Sequence, residues 1–135
     1  MTKTSEDEYR FVNPVDFSDN PYVAPEVYRN EAFGRGADAF SFGLILYEMI
    51  EGAPAFYPKT AREVVKMICL EGKRPPFKFK AKSYPSDSKE LIEECWDPRP
   101  VSRPTFSEII ARLSKMDSNC VKQSRWKDNF KFPWK

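Results

Sequence analysis

The side chain that says most about possible chemistry is one that is missing. The chain is 135 residues long with 22 lysines and arginines and 20 aspartates and glutamates, but no histidine. That excludes Ser-His-Asp and Cys-His hydrolysis and most zinc sites. The three cysteines are scattered, odd in number and without C-x-x-C spacing, which argues against a disulfide-stapled secreted fold. The five glycines, at 34, 36, 43, 52 and 72, form no G-x-G-x-x-G phosphate cradle. Two basic stretches stand out. Lys73, Arg74, Lys78, Lys80 and Lys82 surround Pro75-Pro76-Phe77, either as an anion or docking surface or as a solvated loop anchored by Phe77. The end of the chain interleaves Trp126, Phe130, Phe132 and Trp134 with basic residues. Such a tail suits an anionic membrane surface, at about 1 kcal/mol per basic residue near it, or packs back on the rest of the chain. Nucleic acid is not an expected partner, since the net charge is only +2 and no recognition motif is present.

The elements that would position such residues are helical. With 41% hydrophobic and 15% aromatic residues the chain is one modest globular domain, or part of a larger one, and too aromatic for disorder. The densest apolar run, Phe42 to Ile50, is short and interrupted by Glu48, so no membrane span is expected. The opening MTKTSEDEYR lacks the apolar core of a signal peptide. A cytoplasmic location follows as the expectation.

Charge marks the boundaries. In residues 1–20, Glu6, Asp7, Glu8, Asp16 and Asp19 outnumber Lys3 and Arg10, net −3. In residues 120–135, Lys122, Arg125, Lys127, Lys131 and Lys135 outnumber Asp128, net +4. The reading is an acidic flexible lead over 1–20, a globular unit over 21–118 and a basic aromatic tail over 119–135.

Four helices are predicted, and no segment shows sustained strand alternation, so the unit is mainly α. The first runs from about Gly36 to Glu51, is apolar around nearly its whole circumference, and stops at Gly52. The second opens at a Thr60/Glu63 capping box, lines Ala61, Val64, Val65 and Ile68 on one face, and closes at Gly72. The third follows Pro85-Ser86 and places Leu91, Ile92, Cys95 and Trp96 together. The last opens at a Thr105/Glu108 capping box and points Phe106, Ile109, Ile110, Leu113 and Met116 toward a core.

Three motifs then fall in order. Tyr22-Val23-Ala24-Pro25-Glu26 resembles the A-P-E end of a protein-kinase activation segment. Asp38-Ala39-Phe40-Ser41-Phe42-Gly43 resembles the D-x-x-S-F-G start of a kinase αF helix, and Cys95-Trp96 with Arg103-Pro104-Thr105-Phe106 resembles the C-W-x6-R-P-T-F junction between the last two helices. From about Pro21 to Met116 the chain resembles the helical C-terminal lobe of a protein kinase. It is most like the tyrosine-kinase-like group, in particular the Raf-like, ankyrin-repeat-bearing, integrin-linked-kinase-like family of plants. The resemblance implies ATP- and magnesium-dependent phosphorylation of Ser/Thr or Tyr in signalling. It implies structural roles for Ala24, Pro25, Glu26, Asp38, Trp96 and Arg103, with Glu26 buried against Arg103 and Asp38 accepting from catalytic-loop amides. It also places Asp19, Pro21 and Tyr22 on the substrate-facing loop, where the family carries Ser or Thr at the Asp19 position and Arg at that of Pro21.

The parts that perform phosphoryl transfer are not among these residues. There is no glycine-rich cover, no strand lysine with its glutamate partner, no catalytic-loop aspartate and asparagine, and no D-F-G. Lys66 follows two valines but on a helix-patterned segment. Asp16-Phe17-Ser18 imitates D-F-G but stands eight residues before Ala24, too close for an activation loop. The expectation is therefore a C-lobe unit without catalytic, cofactor-binding or metal residues of its own and with no cofactor. The alternative is a binding or regulatory module that competes with a full-length kinase, and a truncated product without a role is a third. Expected partners are a protein substrate or scaffold, a full-length kinase, or a second copy. Because other parts of a complete lobe cover the αF helix, the unit is expected to leave an apolar face open, with Phe40, Leu44 and Tyr47 as candidates, and Asp38 without its donors.

Overall fold

The computed structural model describes residues 8–13, 15–79 and 83–116 in full, and the backbone alone of Thr2–Lys3 and 117–123. In chain order the elements are strands β1 (Thr2–Lys3) and β2 (Tyr9–Arg10), then helices α1 (Pro25–Tyr28), α2 (Gly36–Glu51), α3 (Ala61–Val65), α4 (Ser88–Cys95) and α5 (Phe106–Gln123). A π-helical turn, Lys66–Leu70, continues α3, and a 3-10 turn, Pro100–Ser102, precedes α5. The molecule is mainly helical, as its pattern predicts. Among the described residues no helix is long and apolar enough to cross a membrane.

Local chemistry sets the helix ends. Thr60 accepts from the Glu63 amide while Glu63 reaches back to the Thr60 amide, and Thr105 and Glu108 make the same reciprocal pair. Gly52 and Gly72 take the left-handed conformation that lets each helix stop, with φ of 77° and 70°. The body is α2, which packs chiefly on α4. Their approach is close enough that a Cβ on Gly43 would stand 2.8 Å from that of Cys95. Leu91, Ile92 and Cys95 have no exposed surface, and Ile109 and Met116 of α5 complete that side of the core.

Two expectations about faces are corrected. Phe40, Leu44 and Tyr47 are not on an open face: they rank among the most deeply buried side chains of the molecule. Phe40 lies beneath the guanidiniums of Arg74 and Arg103, at 5.0 and 4.9 Å from its ring centroid. Tyr47 packs on Phe77 and Trp96 and donates its hydroxyl to Pro76 O at 2.7 Å. The open side of α2 is instead that of Phe42 and Ile45. On α5, Phe106 and Ile110 are exposed rather than inward, because Ile109 and Met116 already occupy the side facing the core.

The lead carries order that the pattern does not announce. β1 and β2 pair antiparallel, Thr2 with Arg10 and Lys3 with Tyr9, and Tyr9 also exchanges backbone bonds with Phe33 at 2.6 and 2.7 Å. Phe11 and Phe17 pack against the core, with Phe11 touching both Phe17 and Phe33. A strand two residues long shows no alternation, so only its partner reveals it.

Candidate functional site

The site is built around residues 19–26. Proline at position 25 opens α1, where a missing N–H costs no helix bond. That turn carries Glu26 inward, where it is 4% exposed. Arg103 meets it across 77 residues: Nη1 donates to Oε2 at 2.6 Å and Nη2 to Oε1 at 3.0 Å. The remaining arginine donors reach Gly36 O and Asp97 O, both at 2.9 Å. Every charge in the pair is therefore met by a fixed partner, the condition under which a buried ion pair is tolerated. Gly36 is required here, since a Cβ would stand 2.8 Å from Pro100 O.

Toward the front of the segment, Tyr22 donates its hydroxyl to Glu48 of α2. That bond, with burial, pushes the phenol up to about 12. Ser41 donates to Tyr22 O at 2.7 Å, and the Tyr22 amide donates to Asn20 Oδ1 at 3.0 Å. Beside them lies an apolar cavity of about 250 Å³ lined by Pro21, Tyr22, Leu44, Glu48, Lys59 and Val64. Asp19 stands outside it, pairing with Arg62 of α3 at 3.1 and 3.4 Å. The arrangement sets an apolar slot, the Glu48 carboxylate of α2 and Lys59 beside the loop.

The remaining predicted residues fall elsewhere. Trp96 is buried at the end of α4, and its carbonyl accepts from Arg74 Nε at 3.0 Å. Arg74 stacks on Phe40, as Arg103 does, and so links Trp96 to the Glu26 pair. Ala24 is buried beneath the turn that precedes α1. Asp38 is exposed near the start of α2, and among the described residues its carboxylate has no hydrogen-bond partner. As an acid in the first turn of α2 it is favoured by the helix dipole. Among the described residues the basic stretch around Phe77 is not gathered into an anion site. Arg74 donates to three carbonyls, Lys73 pairs with Glu71 at 2.8 Å, and Phe77 sits among Tyr47, Tyr84 and Trp96. Lys80, Lys82 and the aromatic tail lie outside the described residues.

Sequence reasoning passed over Ser41, Glu48, Lys59 and Arg62. Ser41, Leu44 and Glu48 follow one another at i, i+3 and i+7, and that spacing marks the side of α2 that faces Tyr22.

Asp16 Oδ1 accepts from the Ser18 amide at 2.9 Å and the Ser18 hydroxyl at 2.6 Å, which lowers its carboxyl below the ordinary value. It is engaged in a turn. Among the described residues no three acidic or cysteine side chains converge as a metal site would require.

The family model for protein tyrosine and serine/threonine kinases matches residues 1–113. Integrin-linked protein kinase 1 of Arabidopsis thaliana is 56% identical over 138 residues, covering 100% of this chain and 29% of that protein. Serine/threonine-protein kinase 12 of Arabidopsis thaliana is 45% identical over 107 residues, 78% of this chain and 23% of its own length. Dual specificity protein kinase shkD of Dictyostelium discoideum is 36% identical over 118 residues, 83% and 16% respectively. The chain thus spans less than a third of the length of the relatives it matches. It belongs to the protein tyrosine and serine/threonine kinase family.

Proposed function

We propose that these 135 residues serve as the peptide-side base of a protein kinase lobe: they fasten the end of the activation segment and present its loop to a protein substrate or scaffold. The observation that carries this reading is the Glu26–Arg103 pair, which fixes the segment leading to Tyr22 and its cavity. Nucleotide binding and phosphate transfer rest on elements these residues do not contain. The resulting expectation is that the 135-residue chain binds no magnesium–ATP and phosphorylates no substrate. Titration calorimetry with ATP, with and without magnesium, tests this directly. Stoichiometric, magnesium-dependent binding at micromolar affinity would overturn it.

A second reading is favoured by one observation: the loop, the Tyr22–Glu48 bond and the cavity are all formed within these residues. A unit of this kind acts as a binding module that competes with a catalytic kinase for the same protein. Adding the chain to a phosphorylation reaction of a related full-length kinase distinguishes the two. Inhibition relieved by excess protein substrate supports competition, and an unchanged rate removes it.

A further inference from the structure

The loop after the π-helical turn, residues 72–77, and the far end of α4 border a groove of about 460 Å³. Among its described lining residues none belongs to α2 or to the 19–26 loop. Its floor is aromatic: Phe77 and Trp96 pack with ring centroids 5.8 Å apart. Pro75, Pro76 and Pro98 line it beside them. A wall of prolines offers no N–H for the backbone pairing that strand addition needs. Arg74 ties the loop to the helix, donating from Nε to Trp96 O at 3.0 Å and from Nη1 to Ile68 O at 3.3 Å and Lys73 O at 2.9 Å. The two walls therefore keep their spacing before any ligand arrives, which lowers the cost of binding one.

The rim on the α4 side is charged. Lys89, Glu93 and Asp97 follow one another along it, spanning about 12 Å at ~1.5 Å of rise per residue. Lys89 is engaged by the Phe77 ring, its Nζ 5.4 Å from the centroid. Glu93 is exposed and, among the described residues, has no ion-pair partner. Asp97 meets the side chain of Arg99 at 3.8 Å, and that side chain is 78% exposed, so water and ligands compete for the contact. We propose that this groove takes a proline-rich segment of a partner protein, in polyproline II form, with an arginine or lysine of that segment set between Glu93 and Asp97. Proline rings suit an aromatic floor, and a polyproline II segment has no backbone ladder to complete and little conformational entropy to lose. At ~3.1 Å per residue, the length of the rim accommodates about four such residues. The two carboxylates repel phosphate backbones and anionic lipid, so the complementary partner is a cationic peptide. The basic residues that mark this stretch in the sequence thus supply its anchor, Arg74, while its recognition charge comes from α4 and the residues just after it.

Fluorescence anisotropy of the full chain with an array of dye-labelled P-x-x-P peptides, flanked by arginine, alanine or glutamate, reads this preference. Arginine-flanked peptides should bind in the micromolar range and glutamate-flanked ones about tenfold more weakly. Glu93→Lys alters an exposed position and should invert that order, weakening the arginine-flanked peptides about tenfold and restoring the glutamate-flanked ones. Glu93→Gln, which only removes the charge, should fall between the two. Glu90→Lys makes the same change of charge on α4 outside the groove and should bind as the parent does, with circular dichroism showing each variant folded. No peptide binding more tightly than ~1 mM, affinity indifferent to the flank, or an equal loss in Glu90→Lys would overturn the proposal. So would a preference for glutamate flanks in the parent, which would assign the groove to Arg74 and Lys89.

Discussion

The segment from Asp19 to Glu26 is held at each end by an arginine, and the two attachments share their atoms but little else. At the rear, Arg103 and Glu26 meet at 2.6 Å with side chains 0% and 5% exposed. At the front, Arg62 and Asp19 meet at 3.1 Å with side chains 64% and 73% exposed. In the first case water is excluded, and breaking one partner strands the other in a poor solvent. In the second, water competes for both groups at every moment, and salt screens what attraction remains. One attachment is therefore a structural anchor, and the other can be released without unfolding anything. The loop thus combines both kinds of attachment. Substitutions at three ion pairs, graded by burial, break or sharpen this contrast.

The largest effect is expected at the rear. Glu26→Gln leaves the Arg103 guanidinium buried without its counter-charge and should cost about 3–5 kcal/mol of unfolding free energy. Urea titration reads it directly. Replacing both residues, Glu26→Leu with Arg103→Met, removes the stranded charge and should recover part of the loss. Recovery stays partial because Arg103 also serves Gly36 O and Asp97 O. A loss of less than about 1 kcal/mol for the single substitution would mean that the pair behaves like an exposed one.

An intermediate case lies between α4 and α5. Arg112, 22% exposed, donates twice to Asp87 at 2.8 Å and once to Glu94 at 2.9 Å. Asp87 holds a left-handed φ of 69° just before α4, so the bidentate bond also fixes an uncommon backbone conformation. Hydrogen bonding to Arg112 keeps the Asp87 carboxyl below its ordinary value of 3.8. The sign follows: its contribution is complete above that value and is lost as pH falls through the lowered folded-state value. Asp87→Asn, which tolerates the same backbone, should cost at most about 1 kcal/mol near neutral pH. It should also flatten the acid limb of the stability profile. An acid limb unchanged in the variant would show that other carboxylates carry it.

How much of this was legible in the sequence depended on how far away the deciding partner was. Both capping boxes and both left-handed glycines are local, set by groups within three or four residues, and they stand where the pattern placed them. The Glu26–Arg103 contact spans 77 residues, and it was legible only because three spaced motifs together resembled a known lobe. The orientation of α2 was not legible. A helix apolar on nearly all sides gives no period to read, so the burial of Phe40, Leu44 and Tyr47 was settled by Arg74, Arg103, Phe77 and Trp96, which lie far along the chain. Ile110 shows the same limit in reverse: it fits the inward stripe of α5 by spacing, yet Ile109 and Met116 fill that side. The Tyr9–Phe33 pairing and the Tyr22–Glu48 bond are likewise set by the fold, because each depends on one residue finding one distant partner.

The smallest effect is expected at the front of the loop, and there the manner of change matters more than its size. Asp19 and Arg62 belong to different elements, the loop and α3, so their bond is a tether rather than part of either. A double-mutant cycle on Asp19→Asn and Arg62→Gln should give a coupling of about 0.2–1 kcal/mol at low salt. That coupling should vanish near ~1 M salt, where the screening length falls to about 3 Å. Release of the tether should free the backbone only as far as the next fixed point. Asn20 still accepts the Tyr22 amide, and Tyr22 remains bound to Glu48 and Ser41. Amide hydrogen exchange should therefore quicken around residues 19–20 in either variant and stay unchanged from Val23 through α1. If exchange instead quickened through Glu26, or the unfolding midpoint moved as far as in Glu26→Gln, the two attachments would be one cooperative unit and the contrast between anchor and tether would fail.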